Sequence, residues 1–146
     1  MNAALPAAAL TSLDRADRRA RQQEVVAALQ RVLPAHALLW TPEDTVPYEC
    51  DGLTAYRETP LAVALPETEQ QVQLVLETCN ALGVPVVARG AGTGLSGGAM
   101  PHTQGVTLGL SKMKRILELD PVACTARVQP GVRNLAISEA AAAHGL

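Results

Sequence analysis

The stretch Arg89–Gly98 most constrains the fold, because five of its ten residues are glycine. An apolar run, residues 85–88, precedes it, and a second apolar run, residues 106–110, follows it. This pattern predicts a glycine-rich loop between two β-strands. Glycine permits positive φ and lets backbone N–H groups approach a ligand such as a phosphate. The sequence therefore predicts either a loop that holds the pyrophosphate of a dinucleotide or a mobile surface turn.

Two familiar phosphate-binding motifs fail at this loop. Gly92 and Gly97 have the spacing of a Walker A motif, but Gly98 stands where that motif requires lysine. Residues 92–97 also match G-x-G-x-x-G, which in a Rossmann fold needs a helix that begins inside the motif. Gly97, Gly98 and Pro101 disfavour that helix, and a strand follows instead. A phosphate would then be bound by the backbone amides of the loop.

Three side chains of the loop can add to such a site. The hydroxyl groups of Thr93 and Ser96 are further donors. Arg89 either supplies charge to the phosphate or braces the loop.

The region before the loop predicts a strand–helix–strand unit. Residues 61–65 form an apolar run with strand character, and Thr68 with Gln71 forms a capping-box pattern. Gly83 suits the end of the helix, and residues 85–89 give the next strand. Such a crossover connects parallel strands. Five residues share the apolar face of this helix and are interpreted as core: Val72, Val75, Leu76, Cys79 and Leu82.

Simpler patterns flank this unit on the N-terminal side. Residues 11–33 predict an amphipathic helix that Pro34 ends. Residues 34–60 are loop-like and contain every aromatic residue of the chain, which we interpret as anchors of a long loop. Four arginines interrupted by aspartates favour a solvated helix face over a nucleic-acid patch: Arg15, Arg18, Arg19 and Arg21.

The C-terminal side continues with strands and a helix. Residues 106–110 predict a third strand, and residues 111–115 a basic connection. Residues 116–119 and 125–129 predict a hairpin. A final helix is predicted over residues 134–144.

Composition and charge exclude several classes of protein. The chain has 146 residues, 48% hydrophobic and 18% charged, which is typical of one globular domain. It has no Phe, one Trp, two Tyr and a formal net charge of −2, which disfavours nucleic-acid binding. Three cysteines without a CxxC pattern predict a reducing compartment and no metal site. We see no signal peptide and no transmembrane run, so a cytoplasmic protein is predicted.

Three motifs resemble those of a known family and occur in the order in which that family has them. They are Tyr48–Arg57, Arg89–Gly98 and Ala126–Leu135. Together with the run 61–110 they resemble the FAD-binding domain of the vanillyl-alcohol oxidase type, also called the PCMH type. Within that family the motifs are similar to the large flavoprotein subunits of glycolate oxidases and to FAD-linked D-lactate dehydrogenases. The resemblance covers residues 20–146.

The resemblance implies an α+β fold, namely the N-terminal part of a PCMH-type FAD-binding domain. Such a domain has a small parallel β–α–β sheet flanked by helices, followed by the start of a second, antiparallel subdomain. Residues 1–57 would be an N-terminal helix with an extended segment, and residues 58–146 the first part of the FAD-binding domain. In the family the glycine loop wraps the FAD pyrophosphate through backbone amides.

The resemblance also implies which residues bind FAD. Some relatives attach the flavin covalently through a histidine in an Arg-Ser-Gly-Gly-His loop. Thr93 occupies that histidine position here, so noncovalent FAD is expected. The implied cofactor-binding residues are Arg89, Gly90, Gly92, Thr93, Gly94, Leu95, Ser96, Gly97, Pro130 and Gly131.

The activity implied is that of a flavin-dependent 2-hydroxy-acid oxidoreductase, with hydride passing from substrate C2 to flavin N5. The implied partners are a small 2-hydroxy acid, such as glycolate or D-lactate, and other subunits of a glycolate oxidase complex. Those subunits would hold a cytoplasmic protein at the inner face of the membrane. No catalytic residue is assigned within the chain, because the family's substrate-binding residues and cap domain are expected beyond Leu146. The isolated chain is therefore expected to be inactive.

Two alternatives remain at this point. One is a non-catalytic, truncated fragment or interaction module that does not retain FAD. The other is an α/β domain of another kind that binds ATP or NAD at the loop.

Overall fold

The computed structural model describes residues 12–146, which form two β-sheets and flanking helices. Short 3-10 turns lie at Ala35–Ala37 and Val46–Tyr48. The helices are α1 (Ser12–Leu29), α2 (Pro42–Thr45), α3 (Glu69–Ala81) and α4 (Asn134–Ala142). The strands are β1 (Leu38–Leu39), β2 (Ala62–Ala64), β3 (Val86–Arg89), β4 (Val106–Gly109), β5 (Ile116–Asp120) and β6 (Thr125–Val128).

The first sheet has the strand order β1-β2-β4-β3. Strands β2, β4 and β3 are parallel, whereas β1 pairs antiparallel with β2 at the edge. Strand β4 lies between β2 and β3, since Val63 of β2 and Val87 of β3 are both opposite Thr107 of β4. The glycine-rich connection therefore leads from the edge strand β3 back to β4 in the interior of the sheet. The α+β architecture expected from the sequence is confirmed.

Helices α1 and α3 cover one face of this sheet with apolar side chains. Val25 and Leu29 of α1 and Val75 and Cys79 of α3 are fully buried. The prediction that Leu76 belongs to this core is wrong, because its side chain is 44% exposed. Leu76 follows Val75 by about 100° around the helix and therefore lies at the side of the buried stripe. The buried stripe is consequently narrower than the sequence pattern suggests.

The capping box of α3 is confirmed in part. The backbone N–H of Gln71 donates to Oγ1 of Thr68, at 3.2 Å. The Gln71 side chain accepts from the N–H of Glu67, at 2.7 Å, rather than from that of Thr68. Gly83 follows the helix with φ of 62°, the left-handed conformation expected of a glycine at that position.

Residues 34–60 are more structured than a loop, so the prediction for this segment is wrong in part. Leu38 and Leu39 form the edge strand β1, which is too short to give a periodic signal. Thr41 caps α2, accepting from the N–H of Asp44 at 3.3 Å. Trp40 packs partly against the core, whereas Tyr56 is 55% exposed. The segment is held by backbone pairing as well as by its aromatic residues.

Helix α1 ends at Leu29 rather than at the predicted Leu33, and its predicted start at Thr11 lies outside the described residues. The predicted solvated face is confirmed for Arg15 and Arg19, which are exposed, whereas Arg18 and Arg21 are half-buried. Arg18 donates to the carbonyl oxygens of Thr59, at 2.8 Å, and Pro60, at 3.3 Å. Arg21 donates to the carbonyl oxygen of Leu82.

The second sheet is the predicted hairpin, with β5 and β6 antiparallel. The carboxylate of Asp120 accepts from the N–H groups of Val122 and Ala123, both at 2.9 Å, and so closes the turn. Cys124 completes the turn with φ of 52°. The predicted final helix is confirmed as α4.

Candidate cofactor site

The glycine loop, residues 90–98, begins where β3 ends. Gly92 and Gly97 have φ of 72° and 74°, a conformation that favours glycine over other residues. Gly90, Gly94 and Gly98 have no positive φ, and a Cβ added to any of them would meet no atom within 4 Å. No conformational or steric constraint within the described residues requires glycine at these three positions. Their effect is to leave a strip of backbone uncovered.

The backbone N–H groups of this loop are free to bind a ligand. Within residues 12–146, none of the N–H groups of residues 90–98 donates a hydrogen bond. Bonding resumes just after the loop, where the N–H of Ala99 donates to Oδ2 of Asp51 at 3.3 Å and that of Met100 to the carbonyl oxygen of Gly97 at 3.1 Å. A run of unpaired N–H groups in a loop rich in glycine is a suitable site for an anion.

Arg89 contacts the loop from the side of the Tyr48–Leu53 segment. Its Nη1 donates to the carbonyl oxygen of Cys50 at 2.6 Å, and its guanidinium carbon lies 5.6 Å from the centroid of the Tyr48 ring. A Cβ on Gly92 would collide with this guanidinium. The sequence left two roles open for Arg89, phosphate binding and bracing of the loop. These contacts support the second role.

The Pro130–Gly131 turn lies against the end of the first sheet. The N–H of Gly131 donates to the carbonyl oxygen of Met113 at 2.8 Å. A Cβ on Gly131 would lie 2.7 Å from that same oxygen, so the close approach requires glycine. The turn and Gly90 line a common cleft of about 290 Å³. The structure thus brings the turn next to the start of the glycine loop, whereas Thr93–Ser96 lie on the exposed outer part of the loop.

Two cations that we did not single out from the sequence line this cleft. Lys114 and Arg133 border it, and both also border an adjoining cavity of about 380 Å³. Both side chains are exposed, and within the described residues neither makes an ion pair or a side-chain hydrogen bond. Lys114 belongs to the connection recognised as basic from the sequence, but its proximity to the loop depends on the tertiary fold. The cleft therefore carries uncompensated positive charge.

Comparison with known proteins identifies the domain. A family model described as an FAD binding domain matches residues 60–146. The chain belongs to this FAD-binding family. The cofactor expected from the sequence, FAD, is thereby confirmed, and the alternative of a module that does not retain FAD has no support. The match also favours FAD over ATP or NAD as the ligand.

Individual relatives agree with this assignment. The chain is 56% identical over 122 residues to the glycolate oxidase subunit GlcD of Escherichia coli strain K12, covering 84% of this chain and 24% of that protein. It is 36% identical over 121 residues to the D-2-hydroxyglutarate dehydrogenase of Xanthomonas citri pv. viticola, covering 83% of this chain and 26% of that one. The chain thus spans about a quarter of the length of these relatives.

A solved structure gives the same fold. The structure of p-cresol methylhydroxylase with substrate bound superposes with a TM-score of 0.74 at 27% identity, covering 99% of this chain and 27% of that one. The predicted resemblance to PCMH-type flavoproteins is therefore confirmed. Among the described residues, no helix is both long and apolar enough to cross a membrane.

Proposed function

We propose that this chain is the part of a flavin-dependent 2-hydroxy-acid oxidoreductase that binds the FAD pyrophosphate, and that the glycine loop binds it. The observation that carries the proposal is the open strip of backbone at Gly90, Gly94 and Gly98, where a Cβ would enter empty space. Since nothing in the described chain requires glycine there, a ligand that needs the room explains these residues best. A pyrophosphate, which accepts hydrogen bonds only, matches the unpaired N–H groups beside them.

Charge in the adjoining cleft supports the same ligand. Lys114 and Arg133 offer positive charge beside Gly90 and the Pro130–Gly131 turn. A diphosphate carries about two negative charges at neutral pH, and cations within several ångströms stabilise it. Thr93 and Ser96 add hydroxyl donors, and Thr93 stands where some relatives have a tethering histidine, so we propose noncovalent binding.

The substrate and partners follow from the relatives rather than from this site. The relatives include a glycolate oxidase subunit and a D-2-hydroxyglutarate dehydrogenase, which suggests a small 2-hydroxy acid such as glycolate or D-lactate. The chemistry supplied by bound flavin would be the acceptance at N5 of a hydride from substrate C2. The word subunit in one relative's name suggests partner subunits, through which a cytoplasmic protein would associate with the membrane. We assign no catalytic residue in this chain.

The proposal is tested by filling the open strip at its centre. Gly94→Leu places a side chain where the structure has free space, so the fold is retained while the bound pyrophosphate is displaced. We expect the dissociation constant for FAD, measured by quenching of flavin fluorescence, to rise at least tenfold. Far-UV circular dichroism should be unchanged.

Ala27→Leu is the matched control, because Ala27 is an exposed residue of α1 and the substitution adds similar bulk away from the loop. This control should bind FAD as the wild type does. Equal FAD affinity in Gly94→Leu and the wild type would contradict the assignment of the loop. A wild-type protein that bound ATP or NAD but not FAD would contradict the cofactor.

A further inference from the structure

The motif 48–53, Tyr-Glu-Cys-Asp-Gly-Leu, lies directly behind the glycine loop, and the proposed function leaves it without a role. It contacts both ends of the loop. At the N-terminal end, Arg89 donates to the carbonyl oxygen of Cys50 and lies over the ring of Tyr48. At the C-terminal end, the N–H of Ala99 donates to Asp51. One short segment thus holds the two residues that flank the loop.

Asp51 is a buried carboxylate whose two oxygens have separate partners. The residue is only 4% exposed. Its Oδ1 accepts from the N–H of Leu53 at 2.9 Å, which fixes the turn of its own segment. Its Oδ2 accepts from the N–H of Ala99 at 3.3 Å, which attaches the loop to that turn. A buried carboxylate needs such partners, and an ionised acceptor makes stronger hydrogen bonds than a neutral one.

Gly52 contacts the middle of the same loop. A Cβ at Gly52 would lie 2.8 Å from the carbonyl oxygen of Gly94 and 2.9 Å from that of Thr93. The φ of Gly52 is not positive, so glycine is needed for this close approach and not for its backbone conformation. These contacts are with carbonyl oxygens, on a side of the backbone where the loop is already packed.

Ordering a loop when its ligand binds reduces affinity, because each residue that becomes fixed loses conformational entropy. Within the described part of the chain, no hydrogen bond joins one residue of 90–98 to another, so the loop has no internal bond with which to hold a shape. We propose that Asp51 and Gly52 are positioning residues, which hold the glycine loop in its binding shape and so set the affinity for the FAD pyrophosphate. This inference rests on the proposed function of the loop.

The test compares Asp51→Ala with the wild type by two measurements. The first is the NMR order parameter of the backbone amides of residues 90–98 without cofactor, which reports the order of the loop. The second is the dissociation constant for FAD. We expect the order parameters of the loop amides to fall below about 0.6 in the variant, and its dissociation constant for FAD to rise at least tenfold. Asp51→Asn keeps one acceptor oxygen and should fall between the two.

The matched control is Asp44→Ala, which removes a hydrogen-bonded but exposed aspartate from α2. It should leave both the order parameters of the loop and the FAD affinity unchanged. Should Asp51→Ala fail to fold, Gly52→Ala tests the same idea with Asp51 intact, and FAD binding at least tenfold weaker is again expected.

Unchanged order parameters of the loop in Asp51→Ala, or lower order parameters with undiminished FAD affinity, would overturn the inference. The NMR measurement uses no cofactor. A wild-type protein that bound no FAD would therefore contradict the proposed function and, with it, the claim about affinity. The order parameters would still decide whether Asp51 orders the loop.

Discussion

At the scale of single residues, the glycines of the loop fall into two groups with different physical causes. Gly92 and Gly97 adopt positive φ, which the shape of the turn requires. Gly90, Gly94 and Gly98 do not, and a Cβ on them would meet nothing. Only the second group indicates a ligand, because neither the backbone conformation nor a close contact within the chain requires glycine at those positions.

The buried thiol of Cys79 leads us to predict, at the same scale, how stability depends on pH. Burial in the core raises the pKa of its thiol from 9.0 to about 11. The native state then holds the proton more tightly than the unfolded state does. The contribution of Cys79 to the free energy of unfolding is therefore fully present below pH 9 and falls as the pH rises to 11. We expect this residue to lower the free energy of unfolding by roughly 2–3 kcal/mol across that window.

Urea unfolding at pH 8 and pH 11 measures the change. Cys79→Ala, which lacks the thiol, is less stable at pH 8 but should lose less stability between the two pH values than the wild type does. Equal losses in the two proteins would show that the thiol is not held protonated by the fold.

At the scale of elements, α1 is fastened to the sheet by polar side chains as well as by its apolar face. Gln22 donates to the carbonyl oxygens of Trp40, at 3.1 Å, and Leu61, at 2.7 Å. Arg18 donates to carbonyl oxygens just before β2, and Arg21 to that of Leu82, just after α3. These carbonyl oxygens lie outside the hydrogen-bond ladders of the strands and helices, and the side chains of α1 provide their donors.

Removing one of these donors should weaken the attachment of α1. Arg21→Met keeps most of the aliphatic stem but leaves the carbonyl of Leu82 without its charged donor, so we expect a loss of about 1–2 kcal/mol in unfolding free energy. Arg15→Met, at an exposed position of the same helix, should change it by less than about 0.5 kcal/mol. Equal effects in urea unfolding would mean that Arg21 does not fasten the helix.

The same elements show what a sequence can predict. Periodicity and capping residues located α3, β2, β4 and the hairpin, because those signals are local. Strand β1 has two residues and is stabilised by pairing with β2, so no local signal marks it. The contacts of Asp51 with Ala99 and of Arg89 with Cys50 join residues far apart in sequence. Motif 48–53 was recognisable, but its position behind the loop follows only from the tertiary fold.

At the scale of the whole molecule, the candidate site lies where the two sheets meet. The first sheet supplies the glycine loop at the end of β3, and the second supplies the Pro130–Gly131 turn after β6. The N–H of Gly131 joins the turn to Met113, just beyond β4. Lys114 and Arg133 lie in the cleft between them. Loop amides, a tight turn and two cations thus converge from separate parts of the chain.

Amide hydrogen exchange with and without FAD tests this arrangement most directly, because it reads the proposed donors one segment at a time. In the free protein, the amides of residues 90–98 should exchange rapidly, since they are unpaired. With FAD bound, we expect their exchange to slow at least tenfold, with exposed residues of α1 unchanged. Bound FAD with undiminished exchange across residues 90–98 would contradict the claim that this loop holds the pyrophosphate.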